Sequence, residues 1–563
     1  MSQDVGLAFP QVSAYARTGT RNLGAVVSHS EMDMTQQPSV ADYVIVGTGS
    51  AGAVLANRLS SDPRKRVVAL EAGPEDKNKF VHIPAAFSKL FRSELDWDYL
   101  TEPQPALGGR KIYWPRGKML GGSSSMNAMM WVRGFAADYD EWAELTGDAS
   151  WSFSGALEYF RRIESVQDDT DPESGHSGPI IVTEQRSPRP LTTAFLDAAA
   201  ETGFPVERAN SSRPEGFSRS MVTQRRGARW SVADAYLRPA RGRNNLTVLT
   251  GAHATRILLD GTAAVGVEYE KDGARRIIRA QGEVIVAGGA VNTPQLLMLS
   301  GIGDEQHLRR HGISVHHHLP EVGQGLTDHF VAGLGYSVDD GSLFSAGTIS
   351  EFVNYLLRRK GTLTSCVEEA YGFVRSRPDL SVPDLEIFFS PAPFFDQGLV
   401  VPTQHTVIIG AILLAPVSRG QITLRSADHT VKPIIDPRYL SDSAGIDRNA
   451  MLEGLRLCSV LASAPSLKSR LGPRIRPIPR PGTHDEEMFV HALEELGQTI
   501  YHPVGTCRMG RDGTGVVTSR LRVRGIDKLR IADASVMPTT IHGHTHAPTV
   551  LIGEKAADLI RHG

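Results

Sequence analysis

The feature that most constrains this chain is a short glycine pattern set between a strand and a helix. Tyr43-Val44-Ile45-Val46 is an apolar run of the kind a buried parallel strand needs. Gly47-Thr48-Gly49-Ser50-Ala51-Gly52 follows it, and residues 53–59 suit a helix. A second strand over 66–70 ends in Glu71, 19 residues after Gly52. A GxGxxG turn that leaves a strand and opens a helix, with a carboxylate about 20 residues on, is the context of a dinucleotide site. The glycines let backbone approach a pyrophosphate, and the helix N-terminus favours its charge. Glu71 would accept hydrogen bonds from the adenosine ribose and repel a 2′-phosphate, which disfavours NADP. A tight turn without a ligand would account for the glycines alone, but not for all three parts together.

The same sheet chemistry returns late in the chain. Residues 283–287 read as a strand running into Gly288-Gly289, residues 529–532 as another ending at Asp533, and 548–560 as a helix with Pro548 near its start. One nucleotide-binding domain therefore draws on the beginning, middle and end of 563 residues, a length that already calls for at least two domains. The expected fold class is α/β. A discontinuous Rossmann-like domain (41–170, 221–329, 496–563) joins a second, α+β substrate-binding domain with an antiparallel sheet (171–220, 330–495), and residues 1–40 form a flexible tail in which Met34 is an alternative start. The net charge of −2 gives no reason to expect nucleic acid or a membrane surface as partner, and no apolar run reaches the ~20 residues of a bilayer span. Cys366, Cys458 and Cys507 are odd in number and scattered, against a disulfide framework or a cysteine metal site; with no secretory signal in the first 40 residues, a cytoplasmic protein is expected.

The glycine turn does not separate NAD from FAD. A second stretch does more: Trp114-Pro115-Arg116-Gly117-Lys118-Met119-Leu120-Gly121-Gly122-Ser123-Ser124-Ser125-Met126-Asn127 puts small residues and backbone amides into one loop that can lie against a flat ligand and its phosphates. From Gly117 to Asn127, and continuing through Gly134, the chain resembles the first signature of the glucose–methanol–choline (GMC) oxidoreductase family. Residues 289–303 resemble its second signature, and Tyr501-His502-Pro503-Val504-Gly505-Thr506-Cys507-Arg508-Met509-Gly510 its C-terminal block. The resemblance runs from about Asp42 to the end and is loosest over 330–495.

It implies FAD as cofactor. Gly47, Thr48, Gly49, Ser50, Ala51, Gly52 and Glu71 would hold the ADP half. Met119, Gly122, Ser123, Ser124, Asn127, Ala128, Met129 and Met130 would line the isoalloxazine and pyrophosphate. Ala254 would contact the adenine side, and Asp533 and Ala534 the ribityl chain and pyrophosphate. It also implies His502 as catalytic base and His546 as the second catalytic position. Some members attach FAD through a histidine where this chain has Met126, so the cofactor is expected to be non-covalent.

The expected reaction is oxidation of the CH–OH group of a small alcohol, with the proton taken by a histidine, the hydride by flavin N5, and oxygen or another acceptor reoxidising the flavin. The rivals are an oxidase using oxygen, or a non-catalytic or metal-binding protein on the same fold. His542, His544 and His546 alternate and on a strand would share one face, a metal-site geometry, but no carboxylate-rich motif accompanies them and no metal is expected. His316-His317-His318 reads as a solvated strand end. Phe388, Phe389, Phe394 and Phe395 could line an apolar pocket, though ordinary core accounts for them equally simply. Choline, one family substrate, would need an aromatic or carboxylate cage that the sequence does not reveal.

Overall fold

β1 (Val40–Val46) runs through the middle of a seven-stranded sheet. In this computed structural model, residues 38–562 are described, apart from 212–213, 479–481, 483 and 512. Met34 and the expected tail up to residue 37 lie outside the described residues.

β1 pairs in parallel with β2 (Val67–Leu70) on one side and with Ala274–Val286 on the other, and Leu246–Leu249 extends the parallel set beyond β2. The strand Ala274–Val286 is shared. Its first half pairs antiparallel with Ala263–Lys271, which in turn pairs with His253–Asp260, and its last three residues take Leu529–Ile531 as a parallel neighbour. Parallel strands are covered on both faces, and all four β2 side chains are buried.

Helix α1 (Gly52–Leu59) leaves the glycine turn and packs against the C-terminal helix, His546–Arg561. Their closeness depends on Gly553, where a Cβ would stand 2.9 Å from the Ala51 backbone. Below that contact the buried Glu554 is held by Arg58 at 2.7 Å and by the Tyr236 hydroxyl at 2.9 Å.

A second, antiparallel sheet runs Arg474–Arg476, Phe330–Ser337, Thr406–Leu413, Leu385–Ser390, Ala370–Val374, Gly216–Arg219, with Gln498–Thr499 added beside Phe330–Ser337. Period-two alternation divides its faces. Leu385, Ile387, Phe389, Val407, Ile409 and Ala411 join the core under the helix Ile446–Ser463, whereas Phe388, Ser390 and Ile408 turn toward a cavity between the two sheets. The phenylalanines thus divide: Phe388, Phe394 and Phe395 line the cavity, and Phe389 is core. His317–His318 forms a two-residue strand with His318 exposed, the solvated strand end read from the sequence.

Candidate active site

The parallel strands of the first sheet deliver their carboxyl ends to one place. Gly47 after β1, Glu71 after β2, Gly288 after Ala274–Val286 and Asp533 near the end of Leu529–Ile531 all line the cavity, where open α/β sheets bind ligands. The glycines have separate tasks. Gly47 has φ +94, and a Cβ there would lie 2.4 Å from the Ala287 carbonyl oxygen. A Cβ on Gly52 would strike the Gly47 carbonyl at 2.0 Å, so Gly52 closes the turn. Gly49 faces open space, with nothing nearer to an added Cβ than the Gly122 Cα at 3.9 Å.

Most residues expected at a cofactor site stand on the cavity wall: Gly47, Gly49, Ser50, Ala51, Glu71, Gly122 to Ser124, Asn127 to Met130, Ala254, Asp533 and Ala534. Three stand behind it. Thr48 is turned to Glu71, giving its amide at 3.0 Å and its hydroxyl at 2.7 Å to one carboxylate oxygen. Gly52 is packed into the turn, and Met119 is fully buried among apolar side chains. Glu71 also accepts from the Gly73 amide at 3.0 Å, and burial raises its pKa. Asp533 accepts from the Gly289 amide at 2.9 Å and the Thr293 hydroxyl at 2.6 Å.

Arg229 was not foreseen. It is buried behind Ser124 and Asn127, donating to the Ser124 carbonyl at 3.1 Å and to Asn127 Oδ1 at 2.6 Å, while its Nη2 is buried without a hydrogen-bond partner. No carboxylate pairs with it among the described residues, and burial lowers its pKa to about 9. An uncompensated buried cation behind a loop of small residues fits an anionic, phosphate-bearing flavin cofactor. The open face at Gly49 fits the same group.

The histidines converge on the other end of the cavity, but not in the expected pairing. His502 meets His544, with ring centroids 4.9 Å apart, and His329, at 5.1 Å. His546 instead places its Nδ1 3.0 Å from the Ser50 hydroxyl and sets its ring edge-on to Trp131. His542, His544 and His546 do not share a strand face. The C-terminal helix begins at His546, and the three rings diverge to Asp138, Glu386 and Ser50.

Hydrogen-bond partners fix the protonation of His502. The Leu414 carbonyl can only accept, so His329 Nε2, 3.1 Å away, carries a proton. Burial, with the charges of His544 and His542 added, lowers the His329 pKa to about 3, so its ring is neutral and its Nδ1 is an acceptor. His502 Nδ1, 3.0 Å from that acceptor, must then be the donor, which leaves His502 Nε2 with a free lone pair. Burial, reinforced by His544, His329 and Arg116, holds the His502 pKa well below 6.5, so the ring is neutral at pH 7. Its backbone amide is fixed by Asp328 Oδ1 at 2.7 Å, and the preceding Tyr501 takes φ +73, a strained conformation that turns the chain at this point.

His544 Nε2 lies 3.1 and 3.2 Å from the two oxygens of the fully buried Glu386, and so donates to it. Glu368, on the cavity wall, shares a hydrogen bond with Glu386, and burial together with Glu386 raises its pKa well above the carboxylate range. Glu368, Glu386 and His544 present ligand atoms within 4.8 Å of one another. A proton shared by the two carboxyls accounts for that closeness. Neither glutamate carries a sequence signal; His329, likewise unforeseen, follows Asp328 in a stretch where nothing marks it.

A two-domain α/β fold with a glycine-lined cradle at one end of its cavity and a histidine cluster built around the neutral His502 and His329 at the other defines a cofactor-dependent oxidoreductase. Sequence profiles described as GMC oxidoreductase match residues 41–331 and 416–553. The chain belongs to the GMC oxidoreductase family, whose fold is FAD-binding. It is 62% identical, over 92% of this chain and 99% of the other, to an uncharacterised GMC-type oxidoreductase of Mycobacterium tuberculosis. It is 41% identical, over 92% and 95%, to the alcohol dehydrogenase [acceptor] of Pseudomonas putida. Among solved structures, a formate oxidase variant of Aspergillus oryzae RIB40, studied for FAD modification, matches with a TM-score of 0.86 at 28% identity, covering 93% of this chain and 98% of that one. No helix among the described residues is long and apolar enough to cross a membrane.

Proposed function

We propose that this protein oxidises the CH–OH group of a small alcohol, with His502 as the base, His544 as the second ligand of the alcohol oxygen, and FAD held without a covalent bond. The observation that carries the reading is the hydrogen-bond chain Leu414–His329–His502, which leaves one neutral imidazole nitrogen free beside the cavity. His502 Nε2 takes the hydroxyl proton. His544, backed by the Glu386 carboxylate, can carry a proton on its other nitrogen and hold the developing alkoxide. Bound FAD supplies the hydride acceptor. His546 stands at the glycine turn beside Ser50 and belongs to the cofactor side. Met126, buried on the cavity wall, has a thioether where a histidine link would form, and this supports dissociable FAD.

The test is anaerobic flavin reduction by an alcohol, found by screening with an artificial acceptor. His502→Ala and His544→Ala should each retain flavin and slow reduction by roughly 10²–10⁴-fold for the base and less for its partner. Their double variant should lose less than the product of the two effects. His546→Ala should lower flavin content more than it lowers the reduction rate of the flavin that remains. A His502→Ala enzyme reducing its flavin at the wild-type rate would remove the base assignment, and one in which only His546 matters would restore the other pairing. Acid precipitation should leave the yellow colour in the supernatant; colour kept in the pellet would show a covalent link.

A further inference from the structure

A surface helix ordinarily turns its apolar stripe inward. The helix Ile349–Arg358 does so only in part. Phe352 and Tyr355 pack down on Ile83 and Ala86, but Ile349, Val353, Leu356 and Leu357 stand 64%, 44%, 54% and 79% exposed. Their spacing of four, three and one residues places them on one outward face, a continuous apolar stripe directed into solvent.

The end of that stripe is basic. Arg358, Arg359 and Lys360 follow the two leucines and are all exposed. A neighbouring hairpin adds to them. A Cβ on Gly227 would stand 2.6 Å from the Arg359 carbonyl oxygen and 3.2 Å from the Arg186 side chain, and the exposed Arg225 and Arg226 immediately precede Gly227. None of these six cations pairs with a carboxylate among the described residues; Arg225 and Arg359 lie only over the Trp230 and Tyr355 rings. Helix-dipole compensation would account for a cation or two at a helix C-terminus, but not for the hairpin arginines or the leucines. The chain's net charge of −2 averages this cluster away.

We propose that this face docks the protein peripherally on an anionic phospholipid surface, with Leu356, Leu357, Val353 and Ile349 entering the headgroup–acyl boundary and the six cations lying on lipid phosphates. Apolar side chains beside a group of four to eight unpaired Lys/Arg match the composition of an interfacial segment, and each cation near such a surface strengthens binding severalfold. A protein partner would need a carboxylate set matched to six cations spread over a helix end and a hairpin, with an apolar groove beside it, whereas a lipid surface supplies anions and an apolar layer without such matching; a second copy of this chain would bring six like charges together at the same face. The helix rests on residues 84–90, whose Phe87 lines the cavity, so docking would set the cavity one layer from the lipid.

The experiment is flotation of the flavin-loaded full chain with vesicles of phosphatidylcholine alone or mixed with phosphatidylglycerol. The wild type should float with the mixed vesicles and be left behind, by about tenfold or more, with pure phosphatidylcholine or in high salt. Leu356→Glu/Leu357→Glu and Arg358→Glu/Lys360→Glu should each abolish flotation while keeping the flavin spectrum, since all four side chains are exposed. Leu145→Glu, at another exposed leucine, should float like wild type. Wild-type protein that stays unbound with the anionic vesicles would overturn the proposal, as would face variants that still float. A dimer by light scattering that Leu356→Glu/Leu357→Glu converts to monomer would overturn it too, by showing that a second copy covers the stripe.

Discussion

His546 shows how position within a few residues decides chemistry. Its ring is buried against Trp131 and Ser50, and burial, with Arg229 adding to it, lowers its pKa from 6.5 to about 4. The folded protein therefore keeps it neutral in a range where the unfolded chain has already protonated it. With the folded value lowered, no stability is lost above about pH 6.5; below that, the unfolded state binds the extra proton and stability falls until about pH 4. At pH 5 the deficit is about 2 kcal/mol, from about 1.4 kcal/mol per pH unit. His546→Asn removes this titration. In denaturant unfolding of the flavin-free protein, the variant should gain about 2 kcal/mol on the wild type between pH 7 and pH 5. A stability difference that stays constant over that range would mean the ring is not held neutral. The same residue marks where sequence reading stopped. The family resemblance singled out His546 among three alternating histidines, but what separates their surroundings is distant in sequence: Asp138, 404 residues from His542; Glu386, 158 from His544; and Ser50, 496 from His546. Directions fixed by such remote partners leave no local trace. His502 could be singled out in the sequence because its flanking Pro and Gly residues form a local pattern, whereas His329, whose ring meets it at 3.0 Å, has none.

At the scale of elements, the strand–turn–helix unit was legible almost to the residue, because parallel strands are continuous apolar runs and the turn needs glycine at fixed offsets. The sequence alone could not say what each glycine is for. Gly52 is structural, since its Cβ would collide with the Gly47 carbonyl at 2.0 Å, whereas Gly49 borders the cradle with nothing nearer than 3.9 Å. The two alanine variants should therefore fail differently. Gly52→Ala should lower the melting temperature of the flavin-free protein, through backbone displacement that costs about 1–3 kcal/mol as overpacking typically does. Gly49→Ala should leave the stability of the flavin-free protein within about 0.5 kcal/mol of wild type, yet reduce the flavin content of the purified protein, because its methyl group occupies space the cofactor needs. Absorbance at the flavin band read against calorimetry separates the two outcomes. Full flavin content in Gly49→Ala would show that the cofactor does not approach the turn at this residue. The alternating second sheet was readable only as β-like runs; which face of Leu385–Ser390 meets the cavity depends on the helix Ile446–Ser463 covering the other, a packing partner about 60 residues further on.

Across the whole molecule, the cavity is walled by both sheets: the first contributes its strand ends and the second the 331–333 segment, Phe388, Ser390 and Ile408. Behind the Ser124 and Asn127 wall, Arg229 is left with a buried, unpartnered nitrogen. A cofactor that fills the space binds only the assembled protein, so it stabilises by RT ln(1 + [L]/Kd), about 2.7 kcal/mol when free FAD stands at 100 times its Kd. If FAD is held without a covalent bond, as proposed above, this stabilisation is reversible and dependent on concentration. The flavin-free protein, prepared by acid ammonium sulfate, should melt at a temperature that climbs with added FAD by a roughly constant step for each tenfold increase in concentration, and should return to the flavin-free value after dialysis. Arg229→Met should shift the whole series to higher FAD concentrations while raising the melting temperature of the flavin-free form, since it removes a buried charge with no carboxylate partner. Riboflavin, which lacks the phosphates, should produce a much smaller step if Arg229 and the glycine turn act on the anionic part of the cofactor. A melting temperature indifferent to FAD would mean that the cavity is closed to it in the folded state. A flavin-free Arg229→Met protein less stable than wild type would mean that the arginine is already neutralised within the fold, and its place in cofactor binding would fall with that result.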